Sequence, residues 1–300
     1  MDKFQKNPYA PFEDKTDFEI PTATLEIYRF IEKHLARDPM DNNVERGSSA
    51  PYCPKRRWFT KRREIGDPLT PRKNINFLLG DLSERVMLYF IANSCVGPGK
   101  LYSEIDLGKE VGSLTYQGKE LKIYEQEEHE VEIDGVKVTT HVEGWGKRNS
   151  DGKWEHIECK SASNWTFNDF KKEGPGDYLK QSAVALQTEK AKKLGATETR
   201  FYFLRKETGH IWDALCPFEP ALWQIVIEEF RIARQEKEPA TPFPLVPETF
   251  RKKPTGRIIA DFPCTYCPFL ELCHGKFTLE WKSDQYGQKK PIYVFEKEKK

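Results

Sequence analysis

Two stretches of alternating apolar and polar residues, joined by a two-residue turn signal, constrain this fold more than any other feature. "KELKIYEQEEHEVEID" ends at Asp134, Gly135 follows, and "VKVTTHVEGWGKR" begins at Val136. Alternation with a period of two is typical of strands, and Asp-Gly is a strong hairpin signal. A second turn, "NSDG" at 149–152, leads into "KWEHIECKSAS". The sequence therefore predicts an antiparallel meander that ends in a third strand.

Helical periodicity surrounds this meander. Apolar residues recur at three- and four-residue steps in "INFLLGDLSERVMLYFIANS" (Ile75–Ser94) before it. After it, "GPGDYLKQSAVALQTEKAKKLG" and "EPALWQIVIEEFRIARQEKE" predict helices, and "TRFYFLRKETGHIWDALCP" between them predicts two short strands. "TATLEIYRFIEKHL" (22–35) predicts one more helix. This order predicts an α/β fold with a mixed central sheet flanked by helices.

The same patterns suggest three segments. Residues 1–74 form an N-terminal helical segment with a basic and aromatic stretch, and residues 75–245 form the α/β core. Residues 246–300 hold a cysteine cluster and a Lys-rich tail.

Composition favours a soluble protein of the cytoplasm. Of the 300 residues, 38% are hydrophobic and 32% are charged. No apolar run approaches the roughly 20 residues of a membrane span, and the N-terminus has no apolar signal region. We therefore expect no membrane partner. In a reducing cytoplasm, clustered cysteines indicate metal ligands rather than disulfides.

The third strand carries a carboxylate and a lysine on one face. Residues two apart in a strand share a face, so His156, Glu158 and Lys160 point one way, whereas Ile157 and Cys159 point into the core. Glu143, on the preceding strand, is expected to converge on Glu158 across the hairpin. Two converged carboxylates repel, and a divalent cation such as Mg²⁺ or Mn²⁺ removes that conflict. The lysine would orient the attacking water or balance charge on a phosphate.

"HVEGW" followed by "HIECK" resembles the core of the PD-(D/E)xK nuclease superfamily. That resemblance implies a restriction-endonuclease-like fold and metal-dependent hydrolysis of phosphodiester bonds. The family usually has Asp at the first acidic position, where this chain has Glu143. Glutamate is one methylene longer, so the position of the metal is less constrained by the resemblance.

Two more motifs resemble the RecB-like branch of this superfamily. That branch has Gly, three residues and a metal ligand on an upstream helix, and "GDLSE" places Gly80 and Glu84 there. It also has Gln after the Glu-x-Lys strand, often followed by Tyr, and "YLKQSAVALQ" supplies Gln181 but has Ala185 in place of Tyr. Tyr178, one turn earlier, is a substitute.

The resemblance implies a site in which the metal is held by the three glutamates and by the backbone carbonyl of Cys159. Lys160 would assist the attacking water, and Gln181 would position the water or the strand. The implied metal ligands are Glu84, Glu143, Glu158 and Cys159.

The segment "FPCTYCPFLELCHG" spaces three cysteines as Cys-x2-Cys-x5-Cys, at Cys264, Cys267 and Cys273. Iron–sulfur members of the RecB-like branch have this pattern, with a fourth cysteine in a Cys-Pro setting before the core. Cys53, in "YCPKRRWF", matches that position. The resemblance implies a [4Fe–4S] cluster that joins the two ends of the core, although four thiolates also suit structural Zn²⁺. His274 is the local alternative to Cys53.

The leading hypothesis is a DNA exonuclease that acts on single-stranded or duplex ends, as in recombination, repair or CRISPR-type DNA processing, where protein partners of those pathways are expected. The stretch from Cys53 to Lys73 has eight Lys or Arg and two acidic residues, a pattern that suits phosphate contacts and base stacking. The candidate DNA contacts are Lys55, Arg56, Arg57, Trp58, Lys61, Arg62 and Arg63. Two alternatives stay open: a DNA-binding module without catalysis, and a zinc protein without nuclease activity.

Overall fold

The computed structural model of the chain describes residues 45–62, 64, 71–250, 253–260, 264, 267–283 and 289–295. The helix expected at 22–35 and the side chain of Arg63 lie outside these ranges. The chain divides into two compact units. The larger unit comprises Asp41–Cys53 and Asn76–Gln235, and the smaller unit includes Pro54–Ile75 and Glu236–Lys300.

The secondary structure of the described residues follows the chain in this order. The helices are α1 (Pro54–Lys61), α2 (Pro71–Ser94), α3 (Asn164–Glu173), α4 (Tyr178–Ala185), α5 (Glu189–Leu194), α6 (Pro220–Arg234) and α7 (Leu270–His274). The strands are β1 (Glu45–Arg46), β2 (Tyr102–Leu107), β3 (Lys109–Tyr116), β4 (Lys119–Glu125), β5 (Glu127–Ile133), β6 (Val136–Val142), β7 (Gly144–Arg148), β8 (Trp154–Ala162), β9 (Glu198–Arg205), β10 (Ile211–Pro217), β11 (Val246–Phe250), β12 (Lys253–Ile259), β13 (Phe277–Ser283) and β14 (Lys289–Phe295).

A five-stranded mixed sheet forms the centre of the larger unit. Its order is β10-β9-β8-β7-β2, in which β8 and β9 run parallel and the other neighbours run antiparallel. The parallel pair requires a crossover, and α3, α4 and α5 lie in the connection between these two strands. The predicted mixed α/β architecture is confirmed.

Helices cover both faces of this sheet. On one face, α2 packs against the sheet through a cluster formed by Met87, Leu88, Ile91, Tyr102, Ile157, Cys159 and Tyr202. On the other face, α3 and α4 pack against it through Ala162, Phe167, Phe170, Phe201 and Phe203, with Tyr178 and Leu179 alongside. Ile157 and Cys159 therefore point into the core, as the alternation predicts.

A second sheet in the larger unit has the order β1-β6-β5. The β5–β6 hairpin turns at Asp134 and Gly135, whose φ angles of 55° and 73° are those of the tight turn that the sequence predicts. Its buried face meets α4 and α6 in a cluster of Ala50, Val131, Ile133, Val138, Val184, Val226 and Phe230.

The smaller unit contains an antiparallel sheet with the order β11-β12-β14-β13. Its apolar residues include Ala260, Cys264, Leu270 and Phe295. A second cluster joins α1 to the cysteine segment through Trp58, Phe59 and Phe269, with Cys267 and Cys273 packed against it.

Several predicted elements have different boundaries in the structure. The long alternating stretches break at Gln126 and at Glu143, so that each supplies strands to two different sheets. The single helix expected after the Gly-Pro-Gly loop is two helices, because the Thr188 side chain accepts a hydrogen bond from Ala191 N and caps a new helix there. Helix α2 begins at Pro71 rather than Ile75.

Candidate metal centre

Two buried glutamates meet where the strand β6 gives way to β7. The β7–β8 ladder pairs Gly144 with Ile157 and Trp145 with His156, so continuing it by one residue sets Glu143 opposite Glu158. Both carboxylates are 1% exposed. The convergence that the strand pattern predicts is therefore present in the structure.

Gly144 explains how a second strand fits beside this pair. A Cβ atom at this position would lie 2.5 Å from Leu107 Cδ2 and 3.0 Å from the carbonyl oxygen of Asp106. Only glycine leaves room for β2 to pair with β7 immediately after Glu143. The glycine in "HVEGW" therefore allows β2 to pair with β7 at the position next to Glu143.

Lys160 lies between the two carboxylates. Its Nζ contacts Glu158 Oε1 and lies 3.8 Å from Glu143 Oε1. Burial disfavours the ammonium, but the charges of Glu158, Glu143 and Glu84 outweigh burial and raise the pKa of Lys160 well above its usual range. The lysine is therefore a positive charge and a hydrogen-bond donor in this site, and not a proton acceptor.

The two carboxyl groups differ in how strongly they bind a proton. Burial raises the pKa of Glu143 well above the ordinary range, and the charge of Glu158 adds to this effect. Burial acts in the same direction on Glu158, but the Lys160 ammonium outweighs it and lowers the pKa of Glu158. Glu143 therefore binds a proton more strongly than Glu158 does.

Unsatisfied oxygens show that these residues fit a divalent cation. Gln126 Nε2 donates to Glu143 Oε1 over 3.1 Å. Within the described ranges, Glu143 Oε2 and Glu158 Oε2 are buried and accept no hydrogen bond. Buried carboxylate oxygens without donors are the ligands that Mg²⁺ and Mn²⁺ take, and a cation would also relieve the repulsion between the pair.

His156 belongs to the same group. Glu143, His156 and Glu158 each offer a ligand atom, and these atoms lie within 4.8 Å of one another. The imidazole is fully buried, and burial lowers its pKa to about 4, so the ring is neutral at physiological pH. Strand alternation places His156 on the face of Glu158, but His156 is not among the ligands that the resemblance implies.

Glu84, Cys159 and Gln181 are the other residues expected in the site. The charge of Glu84 raises the pKa of both Glu143 and Lys160, which brings this residue of α2 into the electrostatic surroundings of the pair. The Cys159 side chain is in the core, and its backbone lies beyond the β7–β8 ladder, which ends at Ile157. Gln181 is half-buried on α4.

Tyr178 lies beside Lys160 in the structure. Lys160 Nζ lies 5.5 Å from the centre of the Tyr178 ring, within the range of a cation–π contact. Burial raises the pKa of Tyr178, so its phenol stays protonated. The Tyr178 ring therefore lies beside the ammonium of Lys160.

The cysteine segment lies in the smaller unit. Cys264 is buried, Cys267 and Cys273 are half-buried, and the described residues contain no disulfide. A tetrahedral zinc site with bonds of about 2.3 Å would set its ligand atoms about 3.8 Å apart. No three of the described cysteines come within 4.8 Å of one another. Cys267 and Cys273 pack beside the apolar rings of Trp58, Phe59 and Phe269.

His274 contacts a cysteine of this segment. Its Nε2 lies 3.8 Å from the sulfur of Cys264, and its ring meets Phe295 edge-on. Burial lowers the pKa of His274, and the charge of Lys55 adds to this effect. Cys53 is half-buried at the end of the Asp41–Cys53 segment of the larger unit.

Much of the basic stretch is buried in the smaller unit. Lys55, Arg57 and Trp58 are less than a tenth exposed, and Lys55 Nζ pairs with Glu238 over 2.6 Å. The Arg62 guanidinium lies 3.8 Å from the centre of the Trp58 ring. Trp58 therefore stacks within the protein, and the candidate DNA contacts with exposed surface are the remaining members of the described set: Arg56, Lys61 and Arg62.

No protein-family model matches the chain, and no curated protein matches it in sequence. Among solved structures, the chain is similar to the crystal structure of a protein named SSO0001, with 14% identity, a TM-score of 0.46, and coverage of 85% of this chain and 97% of that one. It is also similar to an alkaline exonuclease from Laribacter hongkongensis, with 14% identity, a TM-score of 0.32, and coverage of 52% of this chain and 66% of that one.

None of the helices in the described residues is long and apolar enough to cross a membrane.

Proposed function

We propose that this chain is a metal-dependent deoxyribonuclease that hydrolyses phosphodiester bonds at DNA ends. The observation that carries the proposal is the pair of buried carboxylates, Glu143 and Glu158, with the half-buried Lys160 beside them. Two carboxylates with unsatisfied oxygens and a charged lysine, on adjacent strands, suit a divalent cation and a phosphate together.

Glu143 and Glu158 would hold the cation, and Glu84 would add a third carboxylate from α2. Bound there, a divalent cation supplies Lewis-acid polarisation of the phosphodiester and a nucleophile at neutral pH. Three carboxyl groups, those of Glu158, Glu143 and Glu84, act on the one lysine at the site, and a cation would balance the charge that Lys160 alone does not.

Lys160 would act on the substrate. Its ammonium stays protonated among the carboxylates, so it donates hydrogen bonds to a phosphate oxygen and balances the charge that develops there. Tyr178, whose ring faces the ammonium, restricts the directions in which the lysine points. Gln181 on the same helix would position the strand or the attacking water.

The preference for DNA and for ends rests on the resemblance to RecB-like nucleases. So does the [4Fe–4S] cluster, which Cys53, Cys264, Cys267 and Cys273 would hold. A cluster that joins these two parts of the chain would close a loop of more than two hundred residues, so we propose a structural role for it. Arg56, Lys61 and Arg62 would contact backbone phosphates.

The test is an assay on DNA labelled at one end, in single-stranded and duplex form, next to a closed circular DNA that has no ends. With Mn²⁺ or Mg²⁺, we expect the linear substrates to be degraded from their ends and the circle to survive. Glu158→Ala should abolish cleavage, whereas Glu130→Ala, which removes an exposed carboxylate that pairs with Lys137, should retain it.

Two results would redirect the proposal. Cleavage of the circle would exclude a requirement for ends. DNA binding that weakens with salt, without cleavage under any divalent ion, would favour a binding module on a nuclease-like fold.

A further inference from the structure

The imidazole of His156 has one ring nitrogen that the protein does not use. His156 is fully buried in β8, and its ring lies 5.3 Å from that of Trp145. Its Nε2 makes no hydrogen bond with any described residue, although Glu158 Oε2 is 3.5 Å away. An unpartnered buried nitrogen beside two carboxylates with unpartnered oxygens is the arrangement expected where a further atom binds.

The opposite edge of the ring is held in place. Nδ1 lies 3.2 Å from the hydroxyl of Thr199, which is itself fully buried. The β8–β9 ladder pairs these two residues directly, so the backbone register sets this contact. When Nδ1 donates its proton to Thr199, Nε2 carries a lone pair directed toward the carboxylates, as in histidines that bind metals.

Two neighbouring histidines lie next to other carboxylates. His129 Nε2 also makes no hydrogen bond with a described residue, but it lies 3.3 Å from Glu127 Oε2, a carboxylate bound by Lys190 and outside the Glu143–Glu158 pair. His141 lies 3.4 Å from Glu128 and is a third exposed. Of these three histidines, His156 alone belongs to the group with Glu143 and Glu158.

We infer that His156 supplies a nitrogen ligand to the cation held by Glu143 and Glu158, and that this ligand makes the site select a first-row transition ion over Mg²⁺. Imidazole suits transition ions, whereas Mg²⁺ prefers oxygen. The inference deepens the proposed function and depends on its cation site, but it assigns a ligand that the Glu-x-Lys pattern does not include.

Mn²⁺ is the probe for the experiment because it is paramagnetic. Tag-free, metal-depleted protein is loaded with less than one equivalent of Mn²⁺, and pulsed electron paramagnetic resonance measures coupling to nitrogen. We expect the ¹⁴N modulation of a bound imidazole, and replacement by a ¹⁵N pattern when the histidines are labelled. This comparison requires no substitution, and a Mn²⁺ spectrum without nitrogen coupling would overturn the inference.

Variants identify the histidine. His156→Gln should lose the nitrogen coupling and weaken Mn²⁺ binding by about tenfold or more, since even the outer partners of a metal ligand have effects of this size. Its Mg²⁺ affinity should change much less. His129→Gln is the matched control and should keep the coupling. Coupling that persists in His156→Gln, or that disappears in His129→Gln, would contradict the assignment.

If His156→Gln does not fold, the labelled protein and His129→Gln still decide the question. A cleavage assay on the same samples separates this inference from the proposed function. Cleavage without nitrogen coupling would refute the ligand and leave the nuclease proposal intact. Nitrogen coupling without cleavage under any divalent ion would establish the ligand and refute the nuclease.

Discussion

Replacing Glu143 by glutamine should stabilise the metal-free protein while removing its response to a cation. Glu143 is buried beside Glu158, and Gln126 donates to its Oε1. Glutamine keeps a carbonyl oxygen to accept that hydrogen bond, and its amide donates to Glu158, whose Oε2 has no donor in the described structure. Satisfying one buried oxygen and removing one buried acid is expected to stabilise the fold by about 1–3 kcal/mol.

The stability difference between the two proteins is predicted to depend on pH. Burial raises the pKa of Glu143 above its value in the unfolded chain. The unfolded state therefore releases this proton first, and the wild-type protein loses stability as pH rises from the unfolded pKa, about 4.3, through the folded one. Glu143→Gln has no such proton to lose. The stability difference between the two proteins should be small near pH 4 and grow toward pH 8.

The assay is urea denaturation followed by circular dichroism, in EDTA and then in Mn²⁺. At a Mn²⁺ concentration a thousand times the dissociation constant, the wild type should gain about 4.1 kcal/mol, whereas the variant should gain far less. The order of stability should therefore reverse on adding the ion. Glu130→Gln, on the exposed side of the β5–β6 hairpin, is the control and should behave as wild type. A variant less stable than wild type in EDTA at pH 8 would refute the reasoning.

Three other changes test the surrounding structure. Glu155 is fully buried and accepts hydrogen bonds from Tyr102, Arg148 and Arg200, so Glu155→Ala should destabilise the larger unit by about 3–5 kcal/mol in thermal denaturation. Gly144→Ala should lower the free energy of unfolding by about 1–3 kcal/mol, because its methyl group overlaps Leu107, and an unchanged melting temperature would contradict this. Cys53→Ser and Cys264→Ser should both lose the iron and acid-labile sulfide of the purified protein, whereas His274→Ala should keep them; a preparation with zinc and no iron would contradict the cluster.

The meander could be predicted from sequence because its signals are local. Alternation and the Asp-Gly turn are sufficient to define β5 and β6, and the two-residue period is sufficient to set Glu158 and Lys160 on one face. The breaks at Gln126 and Glu143 depend instead on contacts distant in sequence. A Cβ at Gly108 would lie 2.0 Å from the carbonyl oxygen of Glu125, so the chain crosses itself there at a glycine.

Other elements left weaker signals. Strand β3 is exposed along its whole length although it carries Val111, Leu114 and Tyr116, and the turn to β4 is made at Gln117 and Gly118, which take positive φ angles. The sequence of β13, "FTLEWKS", alternates apolar and polar residues within a polar, Lys-rich stretch, but its pairing with β14 and that of β14 with β12 depend on the whole sheet.

The charged residues of the candidate site could be predicted from the sequence, whereas its histidine could not. Glu143, Glu158 and Lys160 follow from strand register and a motif. The role inferred for His156 depends on its surroundings, because the fully buried ring lies next to Thr199 and Trp145 with a ligand atom close to both Glu143 and Glu158. Alternation in the sequence predicts on which face of a strand a residue lies, but its burial and its hydrogen-bond partners depend on the assembled sheet.

The most direct test of the central claim is single-turnover cleavage of end-labelled DNA by wild type and by Lys160→Met. Methionine preserves the unbranched apolar stem and removes the ammonium that contacts Glu158. With Mn²⁺ saturating, the account predicts that cleavage slows by about a hundredfold or more while DNA binding changes little. Lys137→Met, which removes an exposed lysine of β6, should cleave as wild type does. Full activity in Lys160→Met, or no cleavage by the wild type with any divalent ion, would contradict the account.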